Sequence, residues 1–575
     1  MIILDKKLVI AIFVFSLTLF FTNLSYGEGS VGIILFWIAI LGMMGSVIYQ
    51  ILHLEKNDHM VVLFEVIIIN ICLHLVFQVG FIGLNSRDSY DDLKFLEYIL
   101  NNHFFSLNQD PGVSGWPLLH VFSASIIQTT GLDHFQFVKY FASFFTSLIV
   151  IFLYILTNTI YKNKKVALMA PLIFVTIPKF MIFESFFIRE IMGLFTILVG
   201  FYLVYASKNN KDVRLTVFAI VFFVLIVLAH HFSSFMFLVL LFLFFATSII
   251  LPYIYKHPHI YYHIFKSKKP SPPREINVRT VFTIAMVILL AYWLYCSVEI
   301  WTNVGQFFAN LITLGELPSY SANTGVTGTV VTLKGKIIFY GFFIYMILFS
   351  VILLIKLRID QGKTRIEDLT FTFFLFFCGG YGLLSVYAFT SLISPDRLLT
   401  HGWLFGVIPL VGFLLTLKNH SPIYKKVFFA LLISFMIFNL FNIQQEYINK
   451  DYKSLGIANE KEYALAETII IPESNISSNN SLVYEKLFYG YEGSRNALYD
   501  EQYTLGQDSS NFGKKAVTMD KIVIINEPLL LKDINIIKIK NPETYQKTMD
   551  LITMEESYDK VGDLGNGIYV LFSTK

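Results

Sequence analysis

The sequence predicts an all-α polytopic membrane bundle of about thirteen transmembrane helices, followed by a small extracytoplasmic α/β domain. Three observations predict it. Of 575 residues, 55% are hydrophobic and 15% charged, with mean hydropathy +0.62. Soluble globular chains carry about 25% charged residues, so most of this chain cannot build a water-facing surface. Apolar runs of roughly 17–25 residues, each enough for one helix through a ~30 Å hydrocarbon core, recur along the first three quarters. Past residue 445 the composition turns polar.

The apolar runs fall near 8–25, 31–53, 61–84, 135–160, 166–183, 188–206, 214–230, 234–255, 280–299, 335–356, 369–393, 398–416 and 427–445. No small-residue cleavage site follows the first run before Gly27, so it reads as a signal anchor. Aromatics make up 17%, with 58 Phe and 32 Tyr, which suits lipid-facing helices and interfacial belts. The three cysteines, Cys72, Cys296 and Cys378, lie in apolar runs and form neither a zinc pattern nor a disulfide framework. A net charge of +3 points to no nucleic-acid partner.

Residues 117–130, PLLHVFSASIIQTT, set the topology. They are too short and polar for a span, and reading them as a helix at the outer interface restores the positive-inside pattern. The inner segments 5–7, 54–59, 162–165, 208–214, 256–279, 356–365 and 418–426 then hold 22 Lys or Arg. The outer connections before residue 446 hold six: Arg87, Lys94, Arg189, Lys334, Lys336 and Arg397. Lys139 and Lys179, near outer helix ends, raise these to eight. The expected arrangement is a cytoplasmic N-terminus, a large outer loop at 85–134, a membrane domain over 1–445 and an extracytoplasmic domain over 446–575. In that domain, short apolar bursts such as KIVIIN and GIYVLFS read as strands and 542–556 as a helix. The sequons at Asn475 and Asn479 fit an outer surface, and the basic loop 256–279 fits a cytoplasmic linker beside anionic lipid.

With this topology the unusual polar residues gather on one membrane face, and ionisable groups beside membrane helices are costly enough that they commonly line a water-filled cavity. SRDSYDDL supplies Asp88, Asp91 and Asp92, candidates for a general base or, together, for holding a hard divalent cation. The competing reading is a solvated loop, with Asp88 capping a helix that starts near Tyr90. PKFMIFESFFIRE supplies Lys179, Glu184, Arg189 and Glu190, as anion ligands and a carboxylate or as a structural Glu184–Arg189 pair. HHFSS places His230 and His231 at an outer turn, to orient a phosphate or bind a sugar hydroxyl, or simply to be solvated; adjacent histidines on a helix diverge, which argues against one shared metal. SPDRLLTHGW supplies Arg397 for bidentate phosphate recognition and His401 one turn on; alternatively Asp396 caps the helix and Arg397 snorkels. The chemistry that fits these groups is attack on a sugar carried by an anionic lipid phosphate, with a carboxylate deprotonating the acceptor and cations stabilising the departing phosphate.

The chain resembles the GT-C superfamily of multi-pass membrane glycosyltransferases, and is similar in layout to oligosaccharyltransferases, protein mannosyltransferases and archaeal GT-C-like membrane proteins. The resemblance rests on an order of features: the acidic motif Asp88 to Asp92 after an early span, GWPLLH at 115–120, the TTGLDHFQFVKY turn, a basic inner turn, FESFFIRE, and a polytopic bundle whose tail closes with SYDKVGDLGNGIYVLF. It implies a polyprenyl-phosphate-linked sugar donor and a glycan, lipid or protein acceptor within a lipid membrane. It also implies catalytic roles for Asp88, Asp91, Asp92 and Glu184, with Arg189, Arg397, Lys139 and Lys179 at the donor phosphate. Trp116, His120, Glu190, His230, His231 and His401 are then the substrate-binding candidates. A divalent metal, Mg or Mn, would be held by Asp88, Asp91 and Glu184, although Asp88-Ser89-Tyr90-Asp91 departs from an Asp-x-Asp motif. The C-terminal region lacks a WWD motif and has no Trp beyond Trp403, which argues against transfer of whole oligosaccharides to Asn. The expected function is an inverting glycosyltransferase acting in the cell envelope; the alternatives are a polysaccharide polymerase or ligase and a lipid-linked glycan transporter.

Overall fold

The computed structural model describes residues 5–26, 29–55, 58–79, 84, 87–105, 115–210, 212–257, 278–296, 333–359, 365–388, 395–417 and 422–449, together with the strand segments 476–478, 522–526, 558–563 and 568–573. The chain divides into two compact units, residues 1–77 with 95–447 and residues 78–94 with 448–575.

Sixteen helices occur among the described residues: α1 (Lys6–Tyr26), α2 (Gly29–Leu52), α3 (His59–Val79), α4 (Arg87–Asn102), α5 (Leu118–Thr130), α6 (His134–Tyr161), α7 (Lys164–Phe174), α8 (Pro178–Phe183), α9 (Arg189–Asn210), α10 (Val213–Ala229), α11 (His231–Lys256), α12 (Arg279–Tyr295), α13 (Leu333–Ile359), α14 (Ile366–Ala388), α15 (Pro395–Leu417) and α16 (Pro422–Asn449). Several start where a short polar side chain satisfies the free N–H groups of the first turn. Asp133 accepts from Gln136 N at 2.8 Å to begin α6. Asn163 accepts from Lys165 N and Val166 N at 3.0 and 3.2 Å to begin α7. Asp212 accepts from Arg214 N at 2.9 Å to begin α10. Gly131, at φ 71°, ends α5 in the left-handed conformation that only glycine adopts freely.

Seven helices are long and apolar enough to cross a membrane: Lys6–Leu24, Val31–Leu52, His59–Gln78, His134–Tyr161, Arg189–Ser207, His231–Ile254 and Arg397–Leu414. Five shorter apolar helices accompany them, at Leu118–Thr130, Val213–Ala229, Arg279–Tyr295, Gly341–Leu354 and Lys426–Asn442. About thirteen spans were expected, and seven meet both length and apolarity among the described residues. Two expected spans, at 214–230 and 280–299, form apolar helices of 17 residues, about 26 Å at 1.5 Å per residue and at the lower end of the lengths that cross a bilayer core.

A third expected span, 166–183, is broken. It forms α7 and α8, and the backbone turns extended at Ile177 (ψ 116°) ahead of Pro178. Proline has no N–H to continue a helix and forces the preceding residue out of the helical region. The helix expected to be capped by Asp88 starts instead at Arg87, so Asp88 lies inside its first turn. By its backbone Asp396 is the second residue of α15, and its side chain lies outside the described residues.

The bundle core is aromatic. Trp403 of α15 lies 4.6 Å from Phe435 of α16 and 5.9 Å from Phe349 of α13, centroid to centroid. Phe201 of α9 meets Phe244 of α11, Phe371 of α14 and Phe405 of α15 at 5.1–5.5 Å. Where α6 ends and α14 begins, Tyr161 Oη donates to Asp368 Oδ1, and Arg365 donates to Ile160 O while stacking over the Tyr161 ring at 4.9 Å. Gly412 of α15 admits this arrangement, since a Cβ there would lie 2.1 Å from Tyr161 Oη.

In the other unit, backbone is described for four strands, β1 (Ile476–Ser478), β2 (Ile522–Asn526), β3 (Tyr558–Asp563) and β4 (Ile568–Ser573). They form one sheet in the order β1-β2-β4-β3, with β1 parallel to β2 and the other pairs antiparallel. The expected helix at 542–556 lies outside the described residues.

Candidate functional site

The ends of α9, α11 and α15 meet, and each begins with a charged or imidazole side chain for which lipid offers no partner. Arg189 and Glu190 open α9, His231 opens α11, and Arg397 lies in the first turn of α15. Arg397 Nε lies 3.3 Å from Glu190 Oε2, with the Glu190 side chain 2% exposed and that of Arg397 29% exposed. His401, one turn further along α15, places Nδ1 3.7 Å from Glu190 Oε1 and 2.8 Å from Arg397 O. A buried carboxylate is thus flanked by a guanidinium and an imidazole, the geometry in which such a charge is tolerated.

His230 sits in the turn between α10 and α11 with an extended backbone. Its Nδ1 lies 3.0 Å from Ser233 Oγ, and Ser233 N donates to it at 3.4 Å. Ser233 Oγ also lies 3.1 Å from His401 Nε2, joining positions 168 residues apart. Gly193 of α9 makes this crossing possible, because a Cβ there would fall 2.3 Å from Ser233 Oγ. The His230 and His231 rings are 4.7 Å apart. The Trp116 ring lies 4.6 Å from that of His231, tilted by 50°, and the Arg189 guanidinium lies 5.8 Å from the Trp116 ring. Tyr292 of α12 donates to Gly115 O, which ties the Trp116 segment to the bundle.

Glu184, between α8 and α9, is fully buried. Among the described residues neither of its carboxylate oxygens has a hydrogen-bond partner. Burial, together with the negative charge of Glu190, pushes its carboxyl well above the usual range, and Lys179 and Arg397 only partly oppose this. The shift is in the direction that favours the neutral carboxyl. Lys179 itself lies 3.7 Å from the Phe183 ring centroid.

Of the residues expected from the sequence, the structure brings together Glu184, Glu190, Arg189, Arg397, His230, His231, His401, Trp116 and Lys179. His120 and Lys139 are placed by aromatic packing, His120 edge-on to Phe95 at 4.8 Å and Lys139 5.7 Å from the Tyr140 ring. Asp88 and Asp92 lie in the first two turns of α4, Asp88 exposed and Asp92 buried; the Asp91 side chain lies outside the described residues. Ser233 was not singled out by the sequence reading, although a hydroxyl three residues after a turn histidine is a local signal for a His–Ser contact at a helix start.

Among the described residues no group of three or more His, Cys, Asp or Glu is disposed to hold an ion, and the Asp91 side chain of the expected metal set lies outside them. Glu184 instead has Lys179 and Arg397 as charged neighbours, and these cations suit an anionic ligand. What the cluster offers chemically is two guanidinium groups, a buried carboxyl and imidazole nitrogens, a set of groups that suits a phosphate-like anion.

No protein-family model matches the chain, and no curated protein matches it in sequence.

Proposed function

We propose that the chain is a polytopic membrane glycosyltransferase that takes a sugar from a polyprenyl-phosphate-linked donor on the extracytoplasmic face of the cell membrane. The observation that carries this reading is the cluster of Arg189, Arg397, buried Glu184 and the His230–His231 pair at adjoining helix ends. Cations and a carboxyl donor suit a phosphate that gains charge as the sugar leaves, and apolar helix walls suit its prenyl tail. The side of the membrane follows from the basic residues at the other helix ends, Lys6, Lys164, Lys165, Arg214 and Arg365. On the same reading, residues 446–575 form an extracytoplasmic α/β domain around the four-stranded sheet. Two kinds of group can receive the acceptor's proton, the Asp88 carboxylate offered by the sequence and a neutral imidazole of the cluster.

The test uses the full chain reconstituted in lipid nanodiscs. Polyprenyl phosphate is expected to bind in preference to polyprenol, and Arg397→Ala and Arg189→Ala are expected to abolish the preference. Equal binding of the two lipids by the unaltered chain sinks the reading. A lipid-linked glycan transporter is the second reading, favoured by one observation. The break between α7 and α8 is buried, and His74 of α3 packs edge-on to Phe180 beside it at 5.1 Å, a discontinuous helix with a polar neighbour as transporters use.

A further inference from the structure

Glu65 of α3 and Gln50, near the end of α2, meet inside the helical unit. Their side chains belong to residues only 4% and 8% exposed, and Gln50 Nε2 donates to Glu65 Oε2 at 2.6 Å. Both helices are long and apolar enough to cross a membrane. Glu65 lies six residues past the start of α3, about 9 Å along the helix axis. Its neighbours one turn away on the same helix are Val61, Val62, Ile68 and Ile69, so α3 itself offers the carboxyl no polar contact.

A carboxylate taken out of water needs a cation or several donors. Among the described residues no ion pair involves Glu65, and Gln50 is its polar neighbour. The titratable and charged side chains of the surrounding helices are engaged elsewhere. On α2, the Tyr49 and His53 rings stack at 4.2 Å. On α3, His59 Nδ1 lies 3.1 Å from Lys164 Nζ of α7, and His74 Nδ1 lies 2.9 Å from Asn70 O. Lys165 of α7 donates to Leu52 O, and Lys6 of α1 donates to Asp58, each at 2.6 Å. An arginine or lysine partner would fix Glu65 as the anion. A primary amide serves both forms, because its NH2 donates to a carboxylate and, turned over, its carbonyl accepts from a carboxylic acid O–H.

We infer that Glu65 and Gln50 form a reversible proton-binding site inside the helical unit, built from other residues than the cluster at the starts of α9, α11 and α15. Its ligand is a single proton. Glu65 Oε2 takes it up as the Gln50 amide turns from donor to acceptor, and gives it up as the amide turns back. No backbone movement is needed, since the amide meets the carboxyl at hydrogen-bond distance in either orientation. Ionisable side chains within membrane helices commonly belong to proton relays or ion pathways, and a carboxyl with an amide partner and no counter-ion is suited to the first of these. The inference does not depend on the sugar-phosphate reading.

Infrared difference spectroscopy of the full chain in lipid bilayers, recorded across a pH titration, reads the carbonyl stretch that a neutral carboxyl has and a carboxylate lacks. Glu65→Gln keeps an amide in contact with Gln50, so it removes the proton site while preserving the packing. The unaltered chain is expected to show a neutral-carboxyl band that Glu65→Gln lacks, that vanishes as pH is raised and that returns when pH is lowered. Glu65→Asp keeps a carboxyl and should move the band in frequency, so the assignment does not hang on one variant. Gln50→Leu removes the donor to the carboxylate and should keep the band to a higher pH than in the unaltered chain. Spectra of the unaltered chain that match those of Glu65→Gln at every pH overturn the site, because Glu65 then never holds the proton. A Glu65 band that survives the whole titration overturns reversibility and leaves a structural pair. A titration that Gln50→Leu does not move overturns the part given to the amide.

Discussion

At the end of the helical unit where α6 finishes and α14 starts, Tyr161 donates to Asp368 and Arg365 donates to a main-chain carbonyl. Nearby, Lys165 Nζ donates to Leu52 O at 2.6 Å, and Lys6 meets Asp58 at 2.6 Å. Polar groups there are tied to one another or to the backbone, and the contacts hold helices in place. At the end where α9, α11 and α15 start, two buried carboxylates lie together, Glu184 has no hydrogen bond from any described residue, and three histidines lie among arginines. Such a group is costly without a ligand. The contrast separates an end whose polar groups are tied to one another from an end that, on the proposed reading, a bound anion completes.

The largest effect expected from that contrast is Arg397→Ala. It should raise the Kd for polyprenyl phosphate about 10- to 100-fold, the value of a charge-assisted hydrogen bond, with Arg397→Lys in between because it loses the planar fork. Tyr161→Phe comes next. It strips a donor from buried Asp368 and should cost about 1–3 kcal/mol of stability in detergent unfolding without changing lipid-phosphate binding.

Third is the pH dependence carried by Glu184. Its folded carboxyl titrates above the ordinary value of 4.5, so the native state keeps a proton that the unfolded state gives up. Stability therefore falls as pH rises from 4.5 toward the folded value, by at most about 1.4 kcal/mol per pH unit, and Glu184→Gln should flatten this part of the curve. Smallest is Asp133→Ala, which removes the α6 cap and should cost about 1 kcal/mol, again with binding intact. Loss of lipid-phosphate binding in Tyr161→Phe or Asp133→Ala would erase the distinction between the two ends.

The membrane character and much of the candidate cluster were legible in the sequence because the cost of polar groups beside apolar runs is a local property. Arg189, Glu190, His231 and Arg397 stand at helix starts, which hydropathy locates well. The break before Pro178 was less legible, since apolarity runs on through it while the interruption is a matter of backbone. Helix length decided the number of spans, and two apolar runs that looked sufficient form helices of only 17 residues. The contact of Ser233 with His401 was not legible because it depends on α11 and α15 lying side by side, with Gly193 leaving room for the hydroxyl. Glu184 was legible as a polar residue beside apolar runs, but its depth and its nearness to Glu190 are not revealed by spacing.

The pairing of Glu190 with Arg397 and His401 also constrains biogenesis. Glu190 leaves the ribosome long before α15 is synthesised, so its carboxylate must wait for its counter-charges at the membrane boundary, screened by water or by the insertion machinery. A nascent chain interrupted ahead of α15 carries an unmatched acid at that boundary, a mark that quality-control proteases can recognise.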